Sequence, residues 1–420
     1  MPLRRVIKRG SLGIIDASGI IREFGRQGTG PQSTIRLHKR SLAWTLLRNT
    51  ELRFGEAYMD GAITIEKGTL RDLLEIVALN SENGGLVPWQ RGIDWLLPLQ
   101  RKLQQHNSIR RARANVAHHY DLSDRLYDIF LDVNRQYSCA EFRHPEETLE
   151  AAQLNKMRHL AATLLIQPGM RVLEIGSGWG ALALYLARET GAEVTGLTLS
   201  EEQHRYASQR ATEAGLANRV RFHLRDYREE AGTYDRIVSV GMFEHVGVGR
   251  YPEFFSKVRN LLHTRGVALL RAIGRRDGPG TTSAWLRKYI FPGGYAPALS
   301  EVLPPIEGSG LWVTDIEILR LHYADTLREW HRRFAANRER IAEIYDERFC
   351  RMWELYLLGC EMQFRYLNMM VFQIQLAREV DAVPLTANVQ ICEETGKRAS
   401  RLAPPAKTLS LAREWSPIAI

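Results

Sequence analysis

The stretch 171–187, RVLEIGSGWGALALYLA, limits the fold of this chain more than any other. Val172, Leu173 and Ile175 form a short apolar run of buried-strand type. Gly176, Gly178 and Gly180 then interrupt it at two-residue spacing, and an apolar helical pattern resumes at Ala181. Strand, glycine turn and helix in that order predict one unit of an α/β sheet. Without side chains at the turn, the backbone bends tightly and a flat ligand can lie against it, while the amides at the helix start face a polar group. On the glycines alone, an ordinary tight turn accounts for the pattern as well as a ligand loop does.

The following residues repeat the unit. Strands are expected at 193–198, 220–224, 234–240, 266–273 and 312–319, with a last one near 371–376; helices are expected over 147–165 and 200–214, the second capped by Ser200 with Gln203 at the capping-box position. Strands alternating with helices predict an α/β fold with a doubly wound, mostly parallel sheet of seven strands, and ligands of such sheets sit beyond the carboxyl ends of the strands. GSGWG, TLSEEQ, RDYR, GMFEHVG and RAIG all fall at those ends, so five loops are expected to converge. The spacing G-x-G-x-G after Glu174 differs from the dinucleotide pattern G-x-G-x-x-G. It favours an adenosyl ligand with a small charged tail, as in S-adenosylmethionine.

Residues 1–115 read as a smaller, mixed α+β and helical domain, 116–395 as the catalytic domain and 396–420 as a tail. In the first, turns are expected at Phe54-Gly55 and Asp60-Gly61, and a helix from about Thr69 with Leu70, Leu73, Leu74 and Val77 on one face. A further helix near Ser123 carries Leu126, Tyr127, Phe130 and Leu131 and ends in the polar turn 132–136.

An apolar content of 45% beside 25% charged residues is that of a soluble globular protein. No run of eighteen apolar residues occurs, and the basic start MPLRRVIKRG lacks a following apolar segment, which predicts a cytoplasmic protein without a spanning helix. Cys139, Cys350, Cys360 and Cys392 show neither metal-site nor disulfide spacing, so reduced thiols and no metal are expected. The net charge of +9 points to an anionic partner. Residues 95–120 contain no acidic residue but include Arg101, Lys102, Arg110, Arg111 and Arg113, and Arg4, Arg5, Lys8 and Arg9 form a second cluster. A solvated helix face is the plain account. With Trp89, Trp95, Leu96 and Leu97 adjoining, docking on an anionic membrane surface is the sharper one. Nucleic acid is not expected, because no nucleic-acid-binding motif accompanies the charge.

Eight motifs stand in order between about residues 54 and 375: FGEAYMDG, HYDLSDRLYDIFLD, QYSCAEF, VLEIGSGWG, GLTLSEEQ, SVGMFEHVG, KYIFPGG and HYADTLREW. With them the chain resembles the cyclopropane fatty acid synthases, a family of class I S-adenosylmethionine-dependent methyltransferases. The resemblance implies transfer of a methyl carbon from S-adenosylmethionine to the double bond of unsaturated acyl chains in membrane phospholipids, closing a cyclopropane ring. It implies a peripheral protein at the inner face of the membrane, and a homodimer. It further implies cofactor contacts from Tyr137, Ser138, Gly176, Gly178, Gly180, Thr198, Leu199, Gln203, Asp226 and Tyr227. Bicarbonate is implied as the base, beside Cys139, Glu244 and Tyr323, with Cys360 nearby. For several of these a plainer role stays open: a core aromatic for Tyr227, a helix cap for Gln203, a small buried hydrophobe for Cys139 and Cys360, packing for His245.

Arg271 departs from the family, which usually has histidine in a stretch like LLHTIG where this chain reads LLRAIG. Arginine cannot act as a base near neutral pH, but its planar fork holds a carboxylate-like anion. Pointing into the pocket, it would hold bicarbonate or pair with Glu244. Pointing away, it would leave the base less well fixed and allow a methyl- or methylene-branched product. Two other functions compete, a small-molecule N-methyltransferase and a catalytically silent lipid-binding protein. The basic, Trp-bearing N-terminal third argues against the first, and Glu244 with Tyr323 against the second. If the acid-free run docks on anionic lipid, replacing Arg110, Arg111 and Arg113 by Glu is expected to weaken sedimentation with anionic vesicles, and salt to weaken that of the parent protein; sedimentation unmoved by either would make the run a solvated surface.

Overall fold

The computed structural model describes residues 6–48, 50–81 and 124–385. The acid-free run, Arg4, Arg5, Cys392 and the expected tail lie outside the described residues. The first unit comprises β1 (Ser11–Ile15), β2 (Ile21–Gly25), β3 (Gln32–Leu37), α1 (Leu42–Arg48), α2 (Thr50–Met59), β4 (Ile63–Lys67) and α3 (Leu70–Leu79). Its sheet has the order β2-β1-β3-β4, with β1 parallel to β3 and the other pairs antiparallel.

The second unit runs α4 (Asp124–Phe130), α5 (Leu149–Thr163), β5 (Arg171–Ile175), α6 (Ala181–Thr190), β6 (Glu193–Thr198), α7 (Glu201–Glu213), β7 (Val220–Leu224), β8 (Tyr234–Val240), α8 (Tyr251–Leu261), β9 (Leu262–Arg275), α9 (Ala284–Tyr289), α10 (Leu299–Ser309), β10 (Trp312–Ile318), α11 (His322–Ala336), α12 (Arg338–Ile344), α13 (Glu347–Tyr366) and β11 (Met369–Ala377). These strands build the expected seven-stranded sheet, in the order β10-β11-β9-β8-β5-β6-β7. Six strands point the same way, and β11 runs antiparallel to its neighbours β9 and β10. Successive strand residues face opposite sides, so Leu173 joins Ile237, Phe254 and Phe372 on one face while Val172 joins Leu160, Leu186 and Val194 on the other. Both faces are covered, as a parallel sheet requires.

Three local expectations change. The strand expected at 266–273 extends over Leu262–Arg275, so Arg271 lies inside β9, in register with Val240 and Gln373, and not in a loop after it. Helix α3 starts at its Thr69 capping box but buries Leu70, Leu73 and Ile76, leaving Leu74 and Val77 half-buried, because it packs both on β3 and on α13. Phe54-Gly55 is no turn; it lies within α2, and Gly55 is there for close approach, since a Cβ would stand 2.2 Å from Cδ1 of Trp285 on α9. The turn at Asp60-Gly61 is present, with Gly61 at φ +68.

Helix α13 joins the two units. On it Glu361, fully buried, takes both guanidinium nitrogens of Arg71 at 2.8 and 2.6 Å, and Glu354 accepts from Tyr58 at 3.2 Å. One apolar cluster runs from Ile63, Leu73 and Ile76 through Trp353 to Phe130, Trp330 and Tyr323. Among the described residues no helix is long and apolar enough to cross a membrane. Helix propensity alone favours Gly55→Ala by about 1 kcal/mol; the contact with Trp285 is expected to reverse the sign and destabilise the protein by about 1–3 kcal/mol, readable as a lowered midpoint of denaturation.

Candidate active site

Four of the five expected strand ends, those of β5, β6, β7 and β8, meet around one cavity, while the RAIG segment, lying within β9, does not line it. Its floor is the glycine turn, with Gly176, Gly178 and Gly180 at φ +86, +52 and +83. A Cβ at Gly176 would stand 2.8 Å from Met242, and one at Gly180 2.7 Å from Phe222; at Gly178 it would meet no atom within 4 Å. Two of the glycines are therefore demanded by packing, and the third faces open space. Tyr137, Ser138, Gly176, Gly178, Thr198, Leu199, Gln203, Asp226 and Tyr227 line the cavity. Gly180 does not: it caps α6 and is packed under Phe222 and Ala207.

Each polar wall residue is held by a neighbour. Thr198 donates to Oε1 of Gln203 at 2.8 Å, so the Gln203 side chain turns to Thr198, although its backbone N–H does donate to the capping Ser200 hydroxyl. Asp226 takes Nε and Nη2 of Arg228 at 2.8 and 2.7 Å. Tyr227 both lines the cavity and packs edge-on against Phe254 at 5.3 Å. The Tyr137 hydroxyl meets that of Tyr356 at 2.7 Å and its ring stacks on Trp330 at 5.0 Å. Burial keeps that phenol protonated, its pKa well above the usual value.

Two charged side chains that sequence reasoning did not single out line the same cavity. Glu174 is 4% exposed, burial pushes its carboxyl up to about 8, and its Oε2 has no hydrogen-bond partner among the described residues. Lys156 is 2% exposed, burial pushes its ammonium down to about 8, and Nζ donates to the Ser138 hydroxyl at 2.9 Å. The available signal was the run Gln153, Asn155, Lys156 within a helix of mixed polarity, all three buried in α5.

Next to the cavity stands a drier group. Glu244, in a short turn after β8, accepts from the backbone N–H of Ile273 at 2.6 Å; its Oε2 has no partner among the described residues, and burial pushes it up to about 7. Tyr323, at the start of α11, packs edge-on to Trp330 and against Phe364, and its phenol, raised by burial, lies within electrostatic reach of Cys139, Cys360 and Glu244. The fold thus brings together four of the five residues expected to be catalytic. Burial pushes both Cys139 and Cys360 up to about 12, so neither is a thiolate near neutral pH. His245 is half-buried, and desolvation pushes its imidazole down to about 4, which keeps it neutral.

Arg271 is the exception. It is 1% exposed and does not pair with Glu244: Nη2 donates to Glu141 at 2.5 Å, and Nε and Nη2 donate to Oε1 of Gln373 at 2.9 and 2.5 Å, while Nη1 has no hydrogen-bond partner among the described residues. Burial works against the Glu141 charge, but Arg271 and His159 hold its carboxyl down to about 2. Glu141 is the carboxylate that pairs with the arginine, and it was not anticipated. Among the described residues no group of His, Cys, Asp and Glu could hold a metal ion.

A doubly wound seven-stranded sheet with a glycine-floored cavity at the switch of strand order defines a class I methyltransferase. The family model for mycolic acid cyclopropane synthetase matches residues 107–374, and a domain of unknown function matches 17–84. The chain is 40% identical to the tuberculostearic acid methyltransferase UfaA1 of Mycobacterium tuberculosis, over 81% of this chain and 82% of the relative. To the cyclopropane-fatty-acyl-phospholipid synthase of Escherichia coli it is 35% identical, over 84% and 90%. The solved mycolic acid cyclopropane synthase CmaA1, in complex with SAH and CTAB, matches with a TM-score of 0.60 and 34% identity, over 63% of this chain and 97% of that one. The chain belongs to the mycolic acid cyclopropane synthetase family and is an S-adenosylmethionine-dependent methyltransferase.

The open space over Gly178 and the unpartnered Glu174 fit an adenosyl cofactor with a charged end. Gly178→Val is expected to abolish S-adenosylmethionine binding in calorimetry while leaving the circular dichroism spectrum intact, since the new side chain meets no protein atom and costs only left-handed backbone strain of about 1–2 kcal/mol. Unchanged affinity would remove the turn from the cofactor site.

Proposed function

We propose that this enzyme adds a methyl carbon to the double bond of unsaturated fatty acyl chains in membrane phospholipids and closes a cyclopropane ring. The observation that carries the reading is the placement of Glu244, Tyr323 and Cys139 in a dry aromatic wall beside the glycine-floored cavity. When bound, S-adenosylmethionine supplies an electrophilic methyl group. Ser138, Gly178, Thr198, Leu199, Gln203, Asp226 and Tyr227 would hold it, and Tyr137 would close the cavity toward the aromatic wall.

An alkene is a weak nucleophile, so the wall has to hold it in line and keep water out. Tyr137, Trp330 and Tyr323 offer π faces to the cation that develops on the acyl chain. Ring closure removes one proton, so the net gain is one CH2, and a base must stand beside the new carbon. The buried Glu244 carboxyl, with Oε2 unpaired among the described residues, supports a base at this place. In our reading that base is bicarbonate, accepted between Glu244, Tyr323 and the backbone at Cys139. Residues 1–115 form the lipid-docking unit in this scheme, the basic run meets anionic headgroups, and the protein works as a peripheral, dimeric enzyme at the inner face of the membrane.

A second product has its own support. Arg271 replaces the family's histidine, and its Nε and Nη2 are turned to Glu141 and Gln373, which leaves only the buried Nη1 to meet an anion. A cation that loses a different proton leaves a methylene- or methyl-branched chain, and one relative carries the name tuberculostearic acid methyltransferase. Cyclopropane and methylene products have the same mass, so the proton spectrum decides. Cyclopropyl signals below zero ppm are expected after incubation with unsaturated phospholipid vesicles, and vinyl or branched-methyl signals without them would establish the second product. Arg271→His is expected to raise the cyclopropane share if this side chain governs the outcome, and an unchanged product ratio would clear it of that role.

A further inference from the structure

Every cation that lines the cavity is ion-paired except one, Lys156, which Asp132, Glu141 and Glu174 reach only at longer range. Among the described residues Arg135 is paired with Asp124 and Asp128, Arg225 with Glu230 and Arg228 with Asp226. Lys156 has no carboxylate within ion-pairing distance, and its one hydrogen bond, to the Ser138 hydroxyl, leaves two of its three N–H donors unused. An ammonium buried to this degree is costly unless it meets an anion. Its position is built and not incidental: on α5, Gln153 and Leu160 fall on the same helical stripe as Lys156, and Gln153 donates to the carbonyl oxygens of Gln136 and Ser138 at 3.3 and 3.0 Å, fixing the loop that carries the lysine's only partner.

We infer that Lys156, together with the Ser138 hydroxyl, binds the α-carboxylate of the cofactor's amino-acid end. The inference rests on the reading of this cavity as the S-adenosylmethionine site. The ligand chemistry follows from the signs on the wall: an amino-acid end carries one ammonium and one carboxylate, and the cavity offers one unpaired buried carboxylate oxygen, on Glu174, and one unpaired buried ammonium. Burial depresses the Lys156 pKa and raises that of Glu174, so each gains from the arrival of the opposite charge.

The test compares S-adenosylhomocysteine with its decarboxylated analogue, which ends in an aminopropyl chain, by calorimetry. The parent protein is expected to prefer the carboxylate ligand about 10- to 100-fold, the range of a charge-assisted hydrogen bond. In Lys156→Met and Lys156→Gln the preference is expected to collapse, with weaker binding of S-adenosylhomocysteine and little change for the analogue, and Lys156→Arg is expected to restore part of it. Equal loss for both ligands would reduce Lys156 to a support for Ser138 and overturn the inference. So would a parent protein that binds both ligands equally, as it would if a free inorganic anion were the lysine's partner. Binding of neither ligand by the parent would instead remove the reading of the cavity itself. A crystal structure of the parent with S-adenosylhomocysteine settles the matter without any variant: Nζ in hydrogen-bond contact with a carboxylate oxygen supports the inference, and an intervening gap wider than one water overturns it.

Discussion

The ion pair of Arg271 with Glu141 is the constraint around which the site is assembled. Both side chains are buried, the arginine almost completely, and a buried charge deprived of its partner costs several kcal/mol. The pair is also the centre of a wider network. His159 of α5 meets Glu141 at 2.9 Å and Glu317 of β10 at 3.4 Å, while Gln373 of β11 accepts from Arg271 and donates to Glu317 at 3.1 Å. Loop 137–141, one helix and three strands are thereby fixed to one another. Tyr137, Ser138 and Cys139 hang from that loop, so the wall shared by the cavity and the aromatic group is positioned from behind by charges that touch neither.

The two halves of the site differ in what they offer. The glycine-floored cavity is polar, with Thr198, Gln203, Asp226, Glu174 and Lys156 on its walls. The adjoining wall is aromatic, built from α4, α11 and α13 by Phe130, Tyr323, Trp330, Trp353 and Tyr356. A charged sulfonium and a hydrocarbon chain have opposite solvation needs, and the polypeptide meets them with two surfaces that share Tyr137. The N-terminal unit takes part through α13: its ion pairs and apolar core press on one face of that helix, while Tyr356, on the same helix, meets Tyr137. A lipid-docking role for that unit would therefore reach the site through a packed helix.

Much of this was legible in one dimension. The sheet, four of the five loops at the cavity and the helix cap at Ser200 follow from local pattern, because hydrophobic period, glycine spacing and caps act over a few residues, while the residues expected around the cavity came from motifs in family order. Gly180 was misplaced for a local reason as well: spacing marks a glycine without saying whether ligand or protein excludes its Cβ, and here Phe222 does. Gly55 taught the same lesson on α2, where a glycine that read as a turn is a contact with Trp285, 230 residues further on.

What the tertiary structure alone decided is the pairing of charge. The sequence by itself determined that Arg271 stands where the family has histidine and that Glu174 precedes the glycines. It did not determine that Arg271 is paired with Glu141, 130 positions away, while Lys156 is left with a hydroxyl and Glu174 with an unpaired oxygen. Backbone propensity is a property of neighbours in the chain, whereas the fate of a buried charge depends on which opposite charge the fold carries to within about 4 Å of it, and only the closed sheet with its helices in place sets that distance.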